Sequence, residues 1–341
     1  MQNFWHSDTM KKIRHELLND QRPEMCERCF REEDSGVRSA RQAWNEKYMF
    51  DYEATETPDF KVKYIDIRLG NLCNLKCRMC NPYASNQWVD EWHLVDNPLS
   101  ESEKKRLTTM DWPNDDMVAE NILKLGLHIE EIYLTGGEPT LALSQYKLFD
   151  QLIALYLAKN ITLKYNTNCT NLPKKLVDYW QSFKKIKINA SIDAVGDLNR
   201  YIRYPTGWSL VEKNLLKFVE LEKQNKIDLQ VHCTVQIYNV LKLNEFFDFM
   251  EQHGATDIYL NILDHPEYLN IRVLPPELKE LAVKRLEPYM HIKKVKSTVD
   301  YMMAEDWNSK WAEFVKYTKT LDNSRSESIA DLVPELTYDS R

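Results

Sequence analysis

Three cysteines within eight residues carry the strongest chemical signal in this 341-residue chain. Cys73, Cys77 and Cys80 stand four and then three positions apart in Cys73-Asn74-Leu75-Lys76-Cys77-Arg78-Met79-Cys80. Cysteine thiolate is the usual protein ligand of iron–sulfur clusters, and so short a loop can aim three of them at one point. Three ligands on a four-iron cluster leave one iron without a protein partner. Such an open position is what a metal centre needs to bind a small molecule and act on it. Zinc sites prefer ligands in two close pairs, and no second close pair follows nearby downstream.

The elements that must aim these thiols are legible around them. Tyr64-Ile65-Asp66-Ile67-Arg68-Leu69 alternates as a strand does, and only Gly70-Asn71-Leu72 separates it from Cys73. From about residue 60 the chain repeats strand-then-helix units. Further strands are expected at 131–134, 161–166, 185–192, 227–237 and 257–262. Helices are expected at 85–95, 115–127, 142–158, 173–183, 207–223 and 242–253, the last stopped by Gly254. Residues 97–114 read as a polar, Pro-bearing loop. Six such units predict an α/β fold, a partial (β/α)6 TIM-type barrel with parallel strands.

Chemistry in such barrels gathers at the C-terminal strand ends, and the unusual residues fall there. Gly136-Gly137-Glu138-Pro139 follows the second strand, its glycines letting backbone approach a ligand closely. Thr167-Asn168-Cys169 follows the third strand, with Cys169 read as a packing residue. Ser191-Ile192-Asp193 closes the fourth, and Arg203 follows, its donor fork suited to a carboxylate. Arg200 competes with it for that role. Met79, just before the last cysteine of the loop, supplies an apolar packing surface.

Three domains are expected: 1–55, a charged helical segment; 56–272, the barrel; 273–341, a helical tail. In the first, Ser7 caps a helix running through Leu18, and Cys26-Glu27-Arg28-Cys29 offers half a metal site. That pair reads either as two ligands of an auxiliary iron–sulfur cluster or zinc, or as two free thiols. In the tail, Trp307, Trp311, Phe314 and Tyr317 share one face, read as packing against the barrel.

The formal charge of −7 argues against a broad grip on nucleic acid. No apolar run approaches the ~20 residues needed to cross a bilayer, and the N-terminus shows no signal peptide. Seven cysteines, three of them in one loop, point to a reducing cytoplasm.

The CxxxCxxC loop, followed by Gly136-Gly137-Glu138-Pro139 after the second strand, resembles the signature of the radical S-adenosylmethionine (SAM) superfamily. The resemblance implies a [4Fe–4S] cluster on Cys73, Cys77 and Cys80 whose open iron chelates SAM. Reduction would cleave SAM to a 5′-deoxyadenosyl radical that abstracts hydrogen from a peptide or small-metabolite substrate. It also implies a SAM site built from Met79, Gly136, Gly137, Glu138, Pro139, Asn168, Ser191 and Arg203, with Thr234, Asn239 and Ile262 nearby. An electron donor such as flavodoxin or ferredoxin would be a partner. Trp5, Cys26, Cys29, the acidic run at 32–34 and Ser35-Gly36 with Ser39-Ala40-Arg41 resemble the twitch (SPASM-like) accessory region of some members. The competing reading is an iron–sulfur or zinc redox sensor on the same fold, without SAM chemistry.

Overall fold

The computed structural model describes residues 2–34, 36, 38–48, 59–108, 110, 116–125 and 128–337. The expectations that fall on Ser35, on 111–115 and on the 55/56 boundary lie outside these residues. The chain divides into two compact units, Met1–Val62 and Lys63–Arg341.

The first unit is helical: α1 (Gln2–Trp5), α2 (Asp8–Leu18), α3 (Glu27–Asp34) and α4 (Ala40–Tyr48). Ser7 caps α2 as expected, its hydroxyl accepting from the Met10 amide. Cys26 ends a short 3-10 turn and Cys29 lies in the first turn of α3, both half-buried. Glu33 latches the unit together. Its carboxylate accepts from the Ser39 hydroxyl at 2.5 Å and from Arg41 Nη2 at 2.5 Å.

The second unit is organised by six parallel strands in the order β1 (Tyr64–Arg68), β2 (Glu131–Thr135), β3 (Thr162–Thr167), β4 (Lys185–Ser191), β5 (Asp228–Val235) and β6 (Ile258–Ile262). β1 and β6 are the two edges, so the sheet is open and is the expected partial (β/α)6 array. Helices α5 (Glu101–Thr108), α6 (Asp116–Leu125), α7 (Ser144–Ala154), α8 (Lys174–Trp180), α9 (Gly196–Ile202), α10 (Trp208–Lys223) and α11 (Leu243–His253) lie between strands. α12 (Pro276–Leu286), α13 (Lys293–Ala304) and α14 (Trp311–Arg325) follow β6. Gly254 ends α11 at φ 76°, the left-handed stop that its sequence position signals.

One face of the sheet is apolar. Ile132, Leu163, Ile188 and Val231 are wholly or almost wholly buried in a single core with Phe149, Phe218 and Phe246 from the helices. Burial alternates along β3 and β5, so the partners of these residues point to the other face. In the tail, Phe314 and Tyr317 are buried, Phe314 against Tyr238 and Tyr317 against Tyr268, as the packing reading expects.

Two local expectations fail. Residues 85–95 form not a helix but two 3-10 turns, Asn86–Trp88 and Trp92–Leu94. The fully buried Trp88 donates its indole N–H to the Cys77 carbonyl at 3.0 Å, so this segment is bent to serve the cysteine loop. Within the expected loop at 97–114, α5 forms because Ser100 and Glu103 make a capping box. The Ser100 amide donates to Glu103 Oε2 at 2.9 Å, and the Glu103 amide donates to Ser100 Oγ at 3.3 Å.

Candidate functional site

The cysteine loop and the double-glycine turn are one hydrogen-bonded assembly. Gly137 N donates to the Gly70 carbonyl at 3.1 Å and Glu138 N to that of Leu72 at 2.8 Å. The contact is so close that a Cβ on Gly137 would sit 2.2 Å from Leu72 O. One on Gly136, whose φ is +122°, would sit 2.5 Å from Gly70 O. Only glycine fits at either position.

The loop itself is fixed residue by residue. Lys76 N donates to Tyr204 O at 2.7 Å and Arg78 N to Ile202 O at 2.8 Å, tying it to the end of α9. Asn86 Oδ1 accepts from Cys73 N at 3.1 Å. Arg78 is fully buried between its neighbours, its guanidinium 3.5 Å from the Tyr201 ring centroid and bonded to Asp322 and Glu327 at 2.7 and 3.1 Å. Lys76 and Arg325 both reach Glu91, at 3.0 and 2.9 Å.

Cys73, Cys77 and Cys80 all face a cavity of about 360 Å³ at the C-terminal ends of β1–β4. The neighbouring Cys80 thiol and burial raise the Cys77 pKa well above the ordinary thiol value, while the Cys77 thiol lowers that of Cys80 against the effect of burial. Burial, reinforced by Cys77, pushes Cys73 up to about 12. Among the described residues no three His, Cys, Asp or Glu side chains converge closely enough for a single metal ion. The donor set on the cavity is three sulfurs of one loop, and the charge of Arg203 favours the ionised form of Cys77 and Cys80. That donor set fits a multinuclear, thiolate-ligated cluster.

Of the other expected site residues, Gly136, Gly137, Glu138, Asn168, Ser191 and Arg203 line the same cavity. Met79 and Pro139 do not: Met79 packs behind the cysteines and Pro139 is buried as the first residue of a 3-10 turn. Glu138 is 1 % exposed and committed to the protein: Thr140 N, the Thr140 and Thr167 hydroxyls and Asn168 N all donate to it, at 2.6–3.1 Å. It thereby ties the end of β2 to the end of β3. Burial raises its pKa in spite of these donors.

Between the competing arginines the fold chooses. Arg200 pairs with Glu327 and Asp197 at 2.7 and 3.3 Å, away from the cavity. Arg203 lies on it, with Nε 2.8 Å from Asp193 Oδ2 but off the line a hydrogen bond needs, so the contact is an ion pair. Burial opposes its charge, yet Asp193 and Cys77 raise its pKa. Asn239 is spent on the loop after β5, donating to the carbonyls of Asp193 and Thr234 at 2.8 and 3.0 Å. Cys169 is fully buried at φ 62° and its burial raises the thiol pKa, in keeping with a packing residue.

The cavity also holds residues that motif reading misses: Asp66, Arg68, Tyr133, Thr135 and Asn166. The available signal is their period-two spacing in β1–β3, where polar types alternate with the buried aliphatics.

Residues 67–251 match the family model described as "Radical SAM superfamily", more than half of the chain. Among curated relatives, a GTP 3′,8-cyclase of Helicobacter pylori is 22% identical over 65% of this chain and 61% of its own length. The mitochondrial GTP 3′,8-cyclase of Arabidopsis thaliana is 26% identical over 67% of this chain and 50% of its own. The chain thus spans only half to three-fifths of these relatives. A solved structure described as "His6 tagged anSMEcpe with bound AdoMet" overlaps 70% of this chain and 62% of its own at a TM-score of 0.48 and 18% identity. No described helix is long and apolar enough to cross a membrane.

Proposed function

Because this chain belongs to the radical SAM superfamily, we propose that Cys73, Cys77 and Cys80 hold a [4Fe–4S] cluster and that the turns beside them hold SAM. The family implies both groups, and the chain is an enzyme by the same membership. When bound, they supply one-electron cleavage of the SAM carbon–sulfur bond and hydrogen abstraction from an unreactive C–H bond.

The protein's part is to bind, orient and shield. Gly136 and Gly137 bring backbone against the cysteine loop where no side chain fits, so the wall that would face the SAM methionine there is main chain. Glu138 acts by fixing the strand ends, not by free charge, since protein donors occupy its carboxylate. Arg203, held by Asp193, brings positive charge to the thiolates and a guanidinium edge to a carboxylate in the cavity. Asn168 and Ser191 add polar contacts along the same wall. The observation that carries this reading is the backbone pairing of Gly137 and Glu138 with the cysteine loop beside one shared cavity.

Anaerobic reconstitution followed by SAM and dithionite tests it, with 5′-deoxyadenosine measured by mass spectrometry. Its absence from protein with an intact cluster would favour the second reading, a redox sensor that keeps the cluster without SAM chemistry. GTP is the first substrate to offer, because the curated relatives are named for it; peptides are the second. The finer likeness to twitch-bearing members rests on residues 1–55, where the Glu33–Ser39–Arg41 latch supports a folded motif. Cys26 and Cys29 would offer that segment two metal ligands, and iron measured after their removal distinguishes ligands from free thiols. The reducing chemistry supports a cytoplasmic setting and a flavodoxin or ferredoxin as donor.

A further inference from the structure

The open face of the sheet is polar where a filled barrel interior would be aliphatic. Register sets Asp66 beside Tyr133, Tyr133 beside Lys164, and Lys164 beside Lys187. One step nearer the strand ends, Arg68 stands beside Thr135 and Asn166 beside Asn189. A face of this kind has no core to join; its groups need a polar ligand or water.

The charges on it are unequal in what they have to do. Lys187 lies 3.4 Å from Glu131, and Asp66 accepts from the Thr135 hydroxyl at 3.1 Å. Lys164 stands 5.0 Å from the Tyr133 ring centroid. Arg68 lines the cavity with no ion-pair or hydrogen-bond partner among the described residues. Beside it, Asn189 donates to Asn166 at 2.7 Å, which leaves the Asn166 amide N–H groups to donate elsewhere. The cavity runs from the three thiols directly onto this surface, so a molecule seated there lies next to the cluster site.

We propose that the open face is the substrate-binding surface, with Arg68 and Lys164 receiving an oxyanion group of a small polar substrate and Tyr133 and Asn166 holding its uncharged part. The inference rests on the radical SAM reading of the adjacent thiols and names the substrate class for that site. Carboxylates and phosphates share the chemistry that Arg68 would recognise in a bidentate way.

The test uses the reconstituted, SAM-saturated full chain without reductant, titrated by calorimetry with inorganic triphosphate and, separately, with citrate. Binding of triphosphate alone assigns a phosphate-bearing substrate, and binding of citrate alone a carboxylate-bearing one. Either affinity should fall at least ~10-fold in Arg68→Gln and in Lys164→Gln, the size expected for a charge-assisted contact. It should be retained in Lys223→Gln on α10. Should Arg68→Gln fail to fold, Lys164→Gln and the charge-keeping Arg68→Lys carry the same comparison. No binding of either anion, or equal binding by the variants, overturns the proposal. Wild-type SAM cleavage is scored separately: cleavage without anion binding sinks this inference alone, whereas an intact cluster that never cleaves SAM sinks the reading beneath it.

Discussion

Arg78 Nη2 donates to Asp322 Oδ1 across 2.7 Å, joining residues 244 positions apart. Arg78 sits between two of the three loop cysteines, and Asp322 lies near the end of the last long helix, α14. The tail is therefore part of the cysteine loop's support. Burial alone would lower the Arg78 pKa, but the neighbouring Tyr201, Tyr238, Asp322 and Glu327 raise it instead, so it stays charged.

Removing Arg78 takes a buried cation away from two buried carboxylates, Asp322 and Glu327. Arg78→Met should cost about 3–5 kcal/mol, the range for breaking a buried ion pair. Asp322→Asn should cost less, because Glu327 still faces the guanidinium at 3.1 Å. Chemical denaturation measures the first effect, and iron per chain after reconstitution should fall with it.

Gly137→Ala should disrupt the loop from the opposite side. Its Cβ would meet Leu72 O at 2.2 Å, and both are backbone, so strain of about 1–3 kcal/mol is expected. Gly207→Ala, with nothing within 4 Å of the new Cβ, should cost under about 1 kcal/mol. Melting temperatures and bound iron of the two variants should diverge accordingly.

Glu91 predicts a pH signature. Burial opposes its charge, but Arg325 and Lys76 hold its pKa down from 4.5 to about 2. A depressed folded-state pKa gives stability that is present above about 4.5 and lost as the pH falls through about 2. The amount is on the order of 3 kcal/mol. Glu91→Gln should therefore be destabilised at pH 7 and show a flatter stability profile between pH 5 and pH 2 than the parent.

The cysteines separate metal from fold. Cys77→Ala should abolish the visible absorption of the reconstituted cluster, yet shift the melting temperature far less than Arg78→Met does, since the thiol faces a cavity. Cys26→Ala should leave that absorption in place. Loss of iron in the latter would assign Cys26 to a metal site of its own.

The sequence was legible wherever one residue type had one physical use. Six strands and the Gly254 stop follow from period-two aliphatics and a left-handed glycine. The cysteine loop and Gly136-Gly137 read correctly as neighbours in space, because thiols and glycines are rarely placed without cause. Side-chain partnerships were not legible. Nothing near Glu138 in the chain foretells its donors Thr167 and Asn168, about thirty residues later. The helix expected at 85–95 gives way to the needs of one indole, and α5 lies within the expected loop although Ser100 and Glu103 spell its cap. Arg68, Tyr133 and Asn166 look like the ordinary polar half of a strand until six strands line up.

The bond from Arg78 to Asp322 also sets an order of assembly on the ribosome. All three thiols emerge early in synthesis, but the carboxylates that neutralise the cation between them come some 240 residues later. A nascent chain stopped at residue 251, where the family match ends, would hold a guanidinium against Tyr201 with neither acidic partner made. The loop is written first and finished last, so its cargo should be loaded into completed chains.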